Sequence, residues 1–550
     1  MSVRPFALAS HCSLTVITLL LMEIPSLPKA STKHFVHIDL SWVVLRRCCI
    51  VLFCCLLPSV GAVRANELRL AGIFNDYGVL QRDTPVPVWG WAAPGATVSV
   101  RFGAQTREAT ASITDGYWHV TLESMPADGK GRELDVSAGK TSVRKRNLVV
   151  GDVWLVSGQS NMVITMQAPQ TTVLQEKIGA ASNGKIRLFQ LPNASSDVPL
   201  KDTSGLWRPA VSPKAVQSMP AIGYLFGERI QTELTIPVGI VVAATPSTVI
   251  QNWIPADVLR ANPLSRRFVL QYESARARLS AGSARAGGSR IPAGAPDSPW
   301  NPSASFNSKI LPLAPFAFKG VLWYQGEGNV EDSEIYPSLL NDLVDSWREV
   351  FQRADLPFIV AELAPYQRPA SSVKDSARAR FGEGLHAFAA RKSKVWVVTL
   401  VDAGSRDDIH PARKEIPADR FARMALAKVY QLKIDAEGPR YVGIEIRSGD
   451  VMVKFDSAAA HLAIRSTDSA GVMSDADRAV GFELAGEDQV FHPADAEITG
   501  INVVTVRSSK VMNPVAVRYA WRDYPECNLV GANQIPVAPF RTDDWPMKAF

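Results

Sequence analysis

Five short apolar runs recur between residues 150 and 435, and four of them are followed at once by a cluster of polar residues. The runs are Asp152 to Val156, Val238 to Ala243, Lys319 to Tyr324, Pro357 to Ala361 and Lys394 to Val401. Near-continuous apolar segments of this length are strands covered on both faces. Helical periodicity separates them, most clearly over Tyr336 to Phe351, where Leu339, Leu340, Leu343, Val344, Trp347 and Val350 share one stripe and Pro337 stands in the first turn. The alternation predicts an α/β unit over residues 149–435 with a mostly parallel sheet. Residues 275–305, rich in Ala, Gly, Ser and Pro, form a long loop inside it. Open parallel sheets bind ligands beyond the carboxyl ends of their strands, so polar clusters far apart in sequence are expected to meet in one crevice.

Shorter β patterns flank this unit. Val86 to Gly90, Thr97 to Phe102 and Trp118 to Leu122, punctuated by Pro94-Gly95, Gly103 and Gly116, predict a small antiparallel β-domain over residues 66–148. Alternation returns in Val451 to Phe455 and Ile501 to Val506, which predicts a second β-domain over residues 436–550. Ahead of all three, Arg46 and Arg47 precede a ten-residue apolar run, Cys48 to Leu57, then Pro58-Ser59-Val60-Gly61 and Ala62-Val63-Arg64-Ala65. Charged, apolar and small-residue regions in that order describe a secretory signal peptide. Residues 1–65 are read as leader. A second apolar patch, Leu14 to Met22, lies too far upstream to belong to the signal, so residues 1–40 are read as preceding the true translation start. Ten apolar residues fall short of the roughly 20 that span a bilayer. The expectation is a periplasmic or extracellular protein with no stable membrane span after signal cleavage.

Charge and cysteine content exclude several function classes. The net charge is +6, but the leader holds six Lys/Arg against two Asp/Glu, which leaves a surplus of two for the body and implies no nucleic-acid partner. Five of six cysteines lie in the leader and only Cys527 beyond it, so the body holds no internal disulfide. Its histidines, His119, His386, His410, His461 and His492, are dispersed, and neither a metal centre nor a cofactor is expected.

The polar clusters are Gly158-Gln159-Ser160-Asn161-Met162, Ala244 to Trp253, Gln325-Gly326-Glu327-Gly328-Asn329 and Asp402 to His410. Ser160 is the candidate nucleophile: a glycine two residues earlier lets the chain turn out of the strand and present a hydroxyl where backbone N–H groups face an oxyanion. A Gly-x-Ser alone is more often a helix cap, and the hydroxyl needs a base. His119, His461 and His492 fall in the β-domains and His386 in an apolar helical stretch, which leaves His410, beside Asp407 and Asp408.

These residues resemble the sialate O-acetylesterases within the GDSL-like (SGNH) hydrolases. Phe74-Asn-Asp-Tyr-Gly-Val-Leu-Gln81 with Val88-Trp89-Gly90-Trp91, Gly151-Asp-Val-Trp-Leu-Val-Ser-Gly-Gln-Ser-Asn-Met162, Gly320-Val-Leu-Trp-Tyr-Gln-Gly-Glu327, Asp408-Ile-His-Pro411 and Pro539-Phe-Arg-Thr-Asp-Asp-Trp545 are similar, in order, to the family's blocks. The resemblance implies an SGNH-hydrolase-like three-layer α/β domain flanked by β-domains, with Ser160 as nucleophile and His410 as base. Gln325 or Asn329 would supply a side-chain oxyanion donor beside the Ser160 N–H. Ala243-Ala244-Thr245-Pro246 stands where the family usually has Gly-Gly-Thr-Pro, so a second backbone donor would come from Ala244, and Gly328 stands where serine is common. For the acid that orients His410, the general Asp-x-x-His pattern selects Asp407 and the Asp-Ile-His-Pro block selects Asp408. Successive residues of an extended segment point in opposite directions, and a carboxylate three residues back can fold over a turn to the imidazole, which favours Asp407, with Asp402 as a third candidate. The implied function is a serine carbohydrate esterase that removes O-acetyl groups from sialic acid. The alternatives are an acetylxylan or other polysaccharide O-acetylesterase, and a glycan-binding protein with a decayed site. Trp253, Trp300, Trp323 and Tyr324 are candidates to stack on a sugar ring.

Overall fold

Val153, Trp154, Leu155 and Val156 expose no surface, because they lie in the central strand of a sheet covered by structure on both sides. The computed structural model describes residues 67–179, 183–281, 294–367, 376–456, 461–467, 473–475 and 478–545. The leader expected over residues 1–65, and residues 282–293 of the expected long loop, lie outside them. The strands that carry the sheet are β1 (Thr141–Gly158), β2 (Asn183–Gln190), β3 (Trp207–Ala210), β4 (Val238–Ala244), β5 (Gly320–Tyr324), β6 (Phe358–Ala361) and β7 (Val395–Val398). Their spatial order is β3-β2-β4-β1-β5-β6-β7. Every adjacent pair is parallel except β2 with β3. All five apolar runs lie in strands here; four shift at their ends by up to three residues, and the first, Asp152 to Val156, is the buried end of a strand that starts eleven residues earlier, at Thr141. Two strands were not expected: β2 is polar in its first half, with only Ile186 to Phe189 buried, and β3 is four residues long.

The chain builds one side of the sheet first and then crosses to the other, so the strand order reverses at β1. This is the place where open α/β sheets leave a crevice. Three strand ends are level there, since Gly158 is in register with Ala244 on one side and Tyr324 on the other. Gly158 holds φ at +133°, and a Cβ on it would stand 2.1 Å from the Tyr324 carbonyl oxygen, so only glycine fits.

Helices α1 (Ala221–Leu234), α2 (Tyr336–Val350), α3 (Ala377–Ala389) and α4 (Glu415–Met424) connect or follow these strands. In α2 the predicted stripe is buried, Leu339, Leu340, Leu343, Val344 and Trp347 all being fully covered, with only Val350 at its end partly exposed. The Trp347 indole N–H donates to the Trp253 carbonyl at 2.9 Å, which ties α2 to the segment after β4.

Val86–Trp91, Thr97–Phe102 and Tyr117–Leu122 are strands of the N-terminal region. Strand β1 itself begins among them, and Val79–Gln81 pairs with it in parallel at Val149 to Gly151. The junction is fastened by Asp152, whose carboxylate accepts from Gln81 Nε2 at 2.9 Å, Arg82 Nη2 at 3.0 Å and Tyr430 Oη at 2.9 Å. One cluster of buried apolar side chains runs from Leu68 to Ala436. A second one, containing Val453, Leu484, Val504, Val517 and Phe540, fills the antiparallel strands after residue 440. Arg541 reaches from there to Glu383 of α3, Nε to Oε1 at 2.9 Å.

Gly158→Ala is expected to destabilise the protein by roughly 3 kcal/mol, since it combines an unfavourable φ with a backbone collision. Urea denaturation checks this. A midpoint equal to that of the parent would show that β1 and β5 do not approach as described.

Candidate active site

The sharp exit from β1 places Ser160 at the start of a single 3₁₀ turn, Ser160–Met162. Its Oγ lies 2.8 Å from His410 Nε2, although 250 positions separate the two. Both side chains are partly exposed, as a site open to substrate requires. Burial lowers the His410 pKa below its ordinary 6.5; the Asp408 charge opposes this and the Lys414 charge adds to it. At neutral pH the imidazole is therefore uncharged, and Nε2 can accept the Ser160 proton.

The carboxylate that stands beside His410 is that of Asp408, where the sequence favoured Asp407. Asp408 Oδ1 accepts the His410 backbone N–H at 2.8 Å and stands 3.6 Å from Nδ1. Asp407 is exposed and makes no ion pair with His410. The physical reason is an Asx turn, in which an aspartate bonds the N–H two residues on and so folds back beside that residue's side chain. Asp402 is taken by Arg420, both of its oxygens accepting guanidinium N–H groups at 2.6 Å.

Gln325 and Asn329 reach the same region but lie beneath it, fully buried. The Gln325 amide has two hydrogens and three acceptors within reach: Thr248 O at 3.0 Å, Asn329 Oδ1 at 3.0 Å and Gln159 Oε1 at 3.3 Å. Asn329 Nδ2 donates to Gln251 Oε1 at 3.0 Å, and its Oδ1 accepts from Ile250 N at 2.9 Å. Donors spent in this way hold the segment after β4 against the segment after β5. The alanine at 244 causes no backbone strain, because it lies in β4 and its φ is not positive. At Gly328 a Cβ would meet Val249 Cγ1 at 2.9 Å, so a serine there needs Val249 to shift.

Sequence reasoning assigned no role to Asn161, Glu327 or Lys414. Asn161 Nδ2 donates to Glu327 Oε1 at 3.1 Å and to the Ile409 carbonyl at 3.4 Å, while its Oδ1 accepts from Lys414 Nζ at 2.6 Å. Burial raises the Glu327 pKa and lowers that of Lys414 to about 8. The available signal was position, since Asn161 adjoins Ser160 and Glu327 stands in a cluster after a strand. Of the stacking candidates, Trp253, Trp323 and Tyr324 are core, and only Trp300 is exposed, at 42%. Among the described residues no cluster of His, Cys, Asp or Glu is placed to hold a metal ion, and no helix is long and apolar enough to cross a membrane.

Comparison with known proteins gives a consistent set of relatives. The profile of a family described as carbohydrate esterase, sialic acid-specific acetylesterase, matches residues 297–411. Human sialate O-acetylesterase is 27% identical over 419 residues, which cover 69% of this chain and 74% of that protein. The rat sialate O-acetylesterase is 26% identical over 529 residues, covering 86% and 94%. Among solved structures, a carbohydrate acetylesterase from Xanthomonas citri superposes with a TM-score of 0.74 at 30% identity, covering 87% of this chain and all of that one.

If Gln325 is a buried fastener, Gln325→Ala should cost stability, about 1–3 kcal/mol for each acceptor left unsatisfied, as read by thermal unfolding. A variant with parental stability and a large loss in kcat would instead mark it as an oxyanion donor.

Proposed function

The chain belongs to the sialate O-acetylesterase family and is an esterase acting on carbohydrate, and from this we propose that it deacetylates sugars through an acyl-enzyme on Ser160. The observation that carries the proposal is the 2.8 Å contact between Ser160 Oγ and His410 Nε2 at the carboxyl end of the central strand. In this reading Oγ attacks the acetyl carbonyl carbon as Nε2 takes its proton. The tetrahedral oxyanion is met by the backbone N–H groups of Ser160 and Ala244, which flank the level strand ends, with Gln325 and Asn329 supporting them from below. Collapse breaks the ester C–O bond, and His410 returns the proton to the departing sugar oxygen, which leaves as a hydroxyl. Water activated by the same imidazole then releases acetate and regenerates the serine. Asp408 favours the tautomer with the proton on Nδ1 and stabilises the imidazolium. The sheet and its helices are taken as the three-layer arrangement of the GDSL-like hydrolases, supported by the parallel order about β1.

For the substrate we place O-acetylated sialic acid first, supported by the family profile and by the mammalian relatives. Acetylated polysaccharide is the second reading, compatible with the Xanthomonas citri structure, whose description names a carbohydrate acetylesterase and no particular sugar. Export is part of the same proposal, supported by the charged, apolar and small-residue order of residues 46–65. Acetate release from acetylated sialic acid and from acetylated xylan, measured side by side, ranks the two substrates.

Ser160→Ala should abolish acetate release with the fold intact, and parental turnover would overturn the mechanism. Activity requires the unprotonated imidazole, so kcat/KM should fall as the pH drops through a His410 pKa that lies below 6.5. Asp408→Asn removes a charge that favours the imidazolium, which moves this acid limb to still lower pH. It should lower kcat by roughly 10- to 10²-fold, short of the ~10⁴ seen where the acid is buried against the ring. Asp407→Asn should change neither, and the reverse ranking would return the role to Asp407.

A further inference from the structure

Three buried polar side chains stand next to the reacting pair without entering the reaction. Asn161 follows Ser160 in the same 3₁₀ turn, Glu327 comes from the segment after β5, and Lys414 lies four residues after His410 at the N-terminal end of α4. Asn161 and Lys414 are 1% exposed and Glu327 6%. A buried ammonium and carboxylate persist only where each is paired and hydrogen-bonded, so their placement here calls for a use.

We infer that Lys414 is a positioning residue for ester hydrolysis, holding the Asn161 amide so that it clamps the Ser160 turn to the loop that carries His410. A lysine ammonium donates and never accepts. Its 2.6 Å contact therefore commits the carbonyl end of Asn161 to Lys414 and turns the NH₂ end toward two acceptors, Glu327 Oε1 and the Ile409 carbonyl. Ile409 directly precedes His410, so this one amide spans the neighbour of the nucleophile and the neighbour of the base. Without Lys414 the amide is free to rotate, and the hydroxyl–imidazole contact loses a support on each side. The inference rests on the proposed roles of Ser160 and His410.

The same ammonium also acts through space. His410 is faced by Asp408, Lys414 and the Ser160 hydroxyl; Asp407 is exposed, and Asp402 is neutralised by Arg420. Lys414 is in turn faced by Glu327, Asp408 and Glu415. Glu327 is faced by Arg378 of α3, by Lys414 and by the Tyr324 and Tyr336 hydroxyls. With a pKa of about 8, Lys414 carries its charge throughout the range in which His410 titrates. A cation so close disfavours the imidazolium, so removing it should raise the His410 pKa, whereas a merely structural support would leave that value where it is.

The test is Lys414→Met, read in two ways on the full chain: acetate-release kinetics on a generic aryl acetate, and the His410 titration midpoint followed by NMR, with the resonance assigned through His410→Gln. The expected result is a kcat lower by about 10²-fold, the scale of a 1 Å misplacement, with KM within about twofold. The imidazole midpoint and the acid limb of kcat/KM should both move to higher pH. Either kcat or the midpoint remaining at the wild-type value overturns the inference. Because Lys414→Met leaves Glu327 without its ammonium, Lys414→Met/Glu327→Gln is prepared alongside and read by the same criteria if the single variant does not fold. Ser160→Ala separates the two levels of the argument: acetate release surviving in it overturns the site itself, whereas a silent Ser160→Ala with an unaltered Lys414→Met overturns only the role of Lys414.

Discussion

Gly158 passes so close to the Tyr324 carbonyl that no side chain fits between β1 and β5, and the rest of the site is arranged around that contact. Because the strands touch there, Gly158, Ala244 and Tyr324 end at one height. The polar residues that follow each strand are thereby delivered to the same small volume. Gly326 repeats the device one residue beyond Gln325, at φ +148°, where a Cβ would stand 2.3 Å from the Phe381 ring. These glycines belong to the motifs because backbone must pass where a methyl group cannot.

Around them the motif residues interlock in pairs drawn from different strands. Gln159 Oε1 accepts from both Gly326 N and Gln325 Nε2. Asn161 bonds Glu327, and Asn329 bonds the backbone at Ile250. Amides suit this task because each offers a donor and an acceptor without a charge to desolvate. Such networks are stable only when complete, which explains why so many buried polar residues sit beneath a site where a single hydroxyl reacts. Glu327 and Lys414 are the charged exceptions, joined through Asn161 directly below the Ser160–His410 pair.

The family blocks farther from Ser160 act as fasteners. Gln81 closes on Asp152 and on Val153 N, joining the N-terminal strands to the central strand. In the last block, the Asp543 side chain is shielded from solvent and receives Arg518 Nε and Nη2, each at 2.8 Å, while Arg541 holds Glu383 on α3. A bidentate pair at that depth fixes geometry more than it adds net stability. It holds the C-terminal strands in place, and Arg541 anchors them to a helix of the sheet that bears the site.

Five of the sheet strands, the stripe on α2 and the convergence of Ser160 with His410 were legible in the chain, because periodicity and strand-end clusters are local patterns that burial and backbone geometry impose residue by residue. Strand β2 escaped notice for the same reason: half of it is polar, and what makes it a strand is the neighbour it pairs with. The acid beside His410 was decided only by the folded loop. The reach of a carboxylate three residues back, folded over a turn, favoured Asp407, but the Asp408 side chain turns to accept the His410 N–H, and that turn sets its carboxylate beside the ring. The positions of Gln325, Asn329 and Lys414 were likewise settled by tertiary structure. Whether an amide donates to a substrate or to a neighbouring strand, and whether a lysine meets solvent or an asparagine, depends on what residues hundreds of positions away place within 3 Å, and no local pattern records that distance.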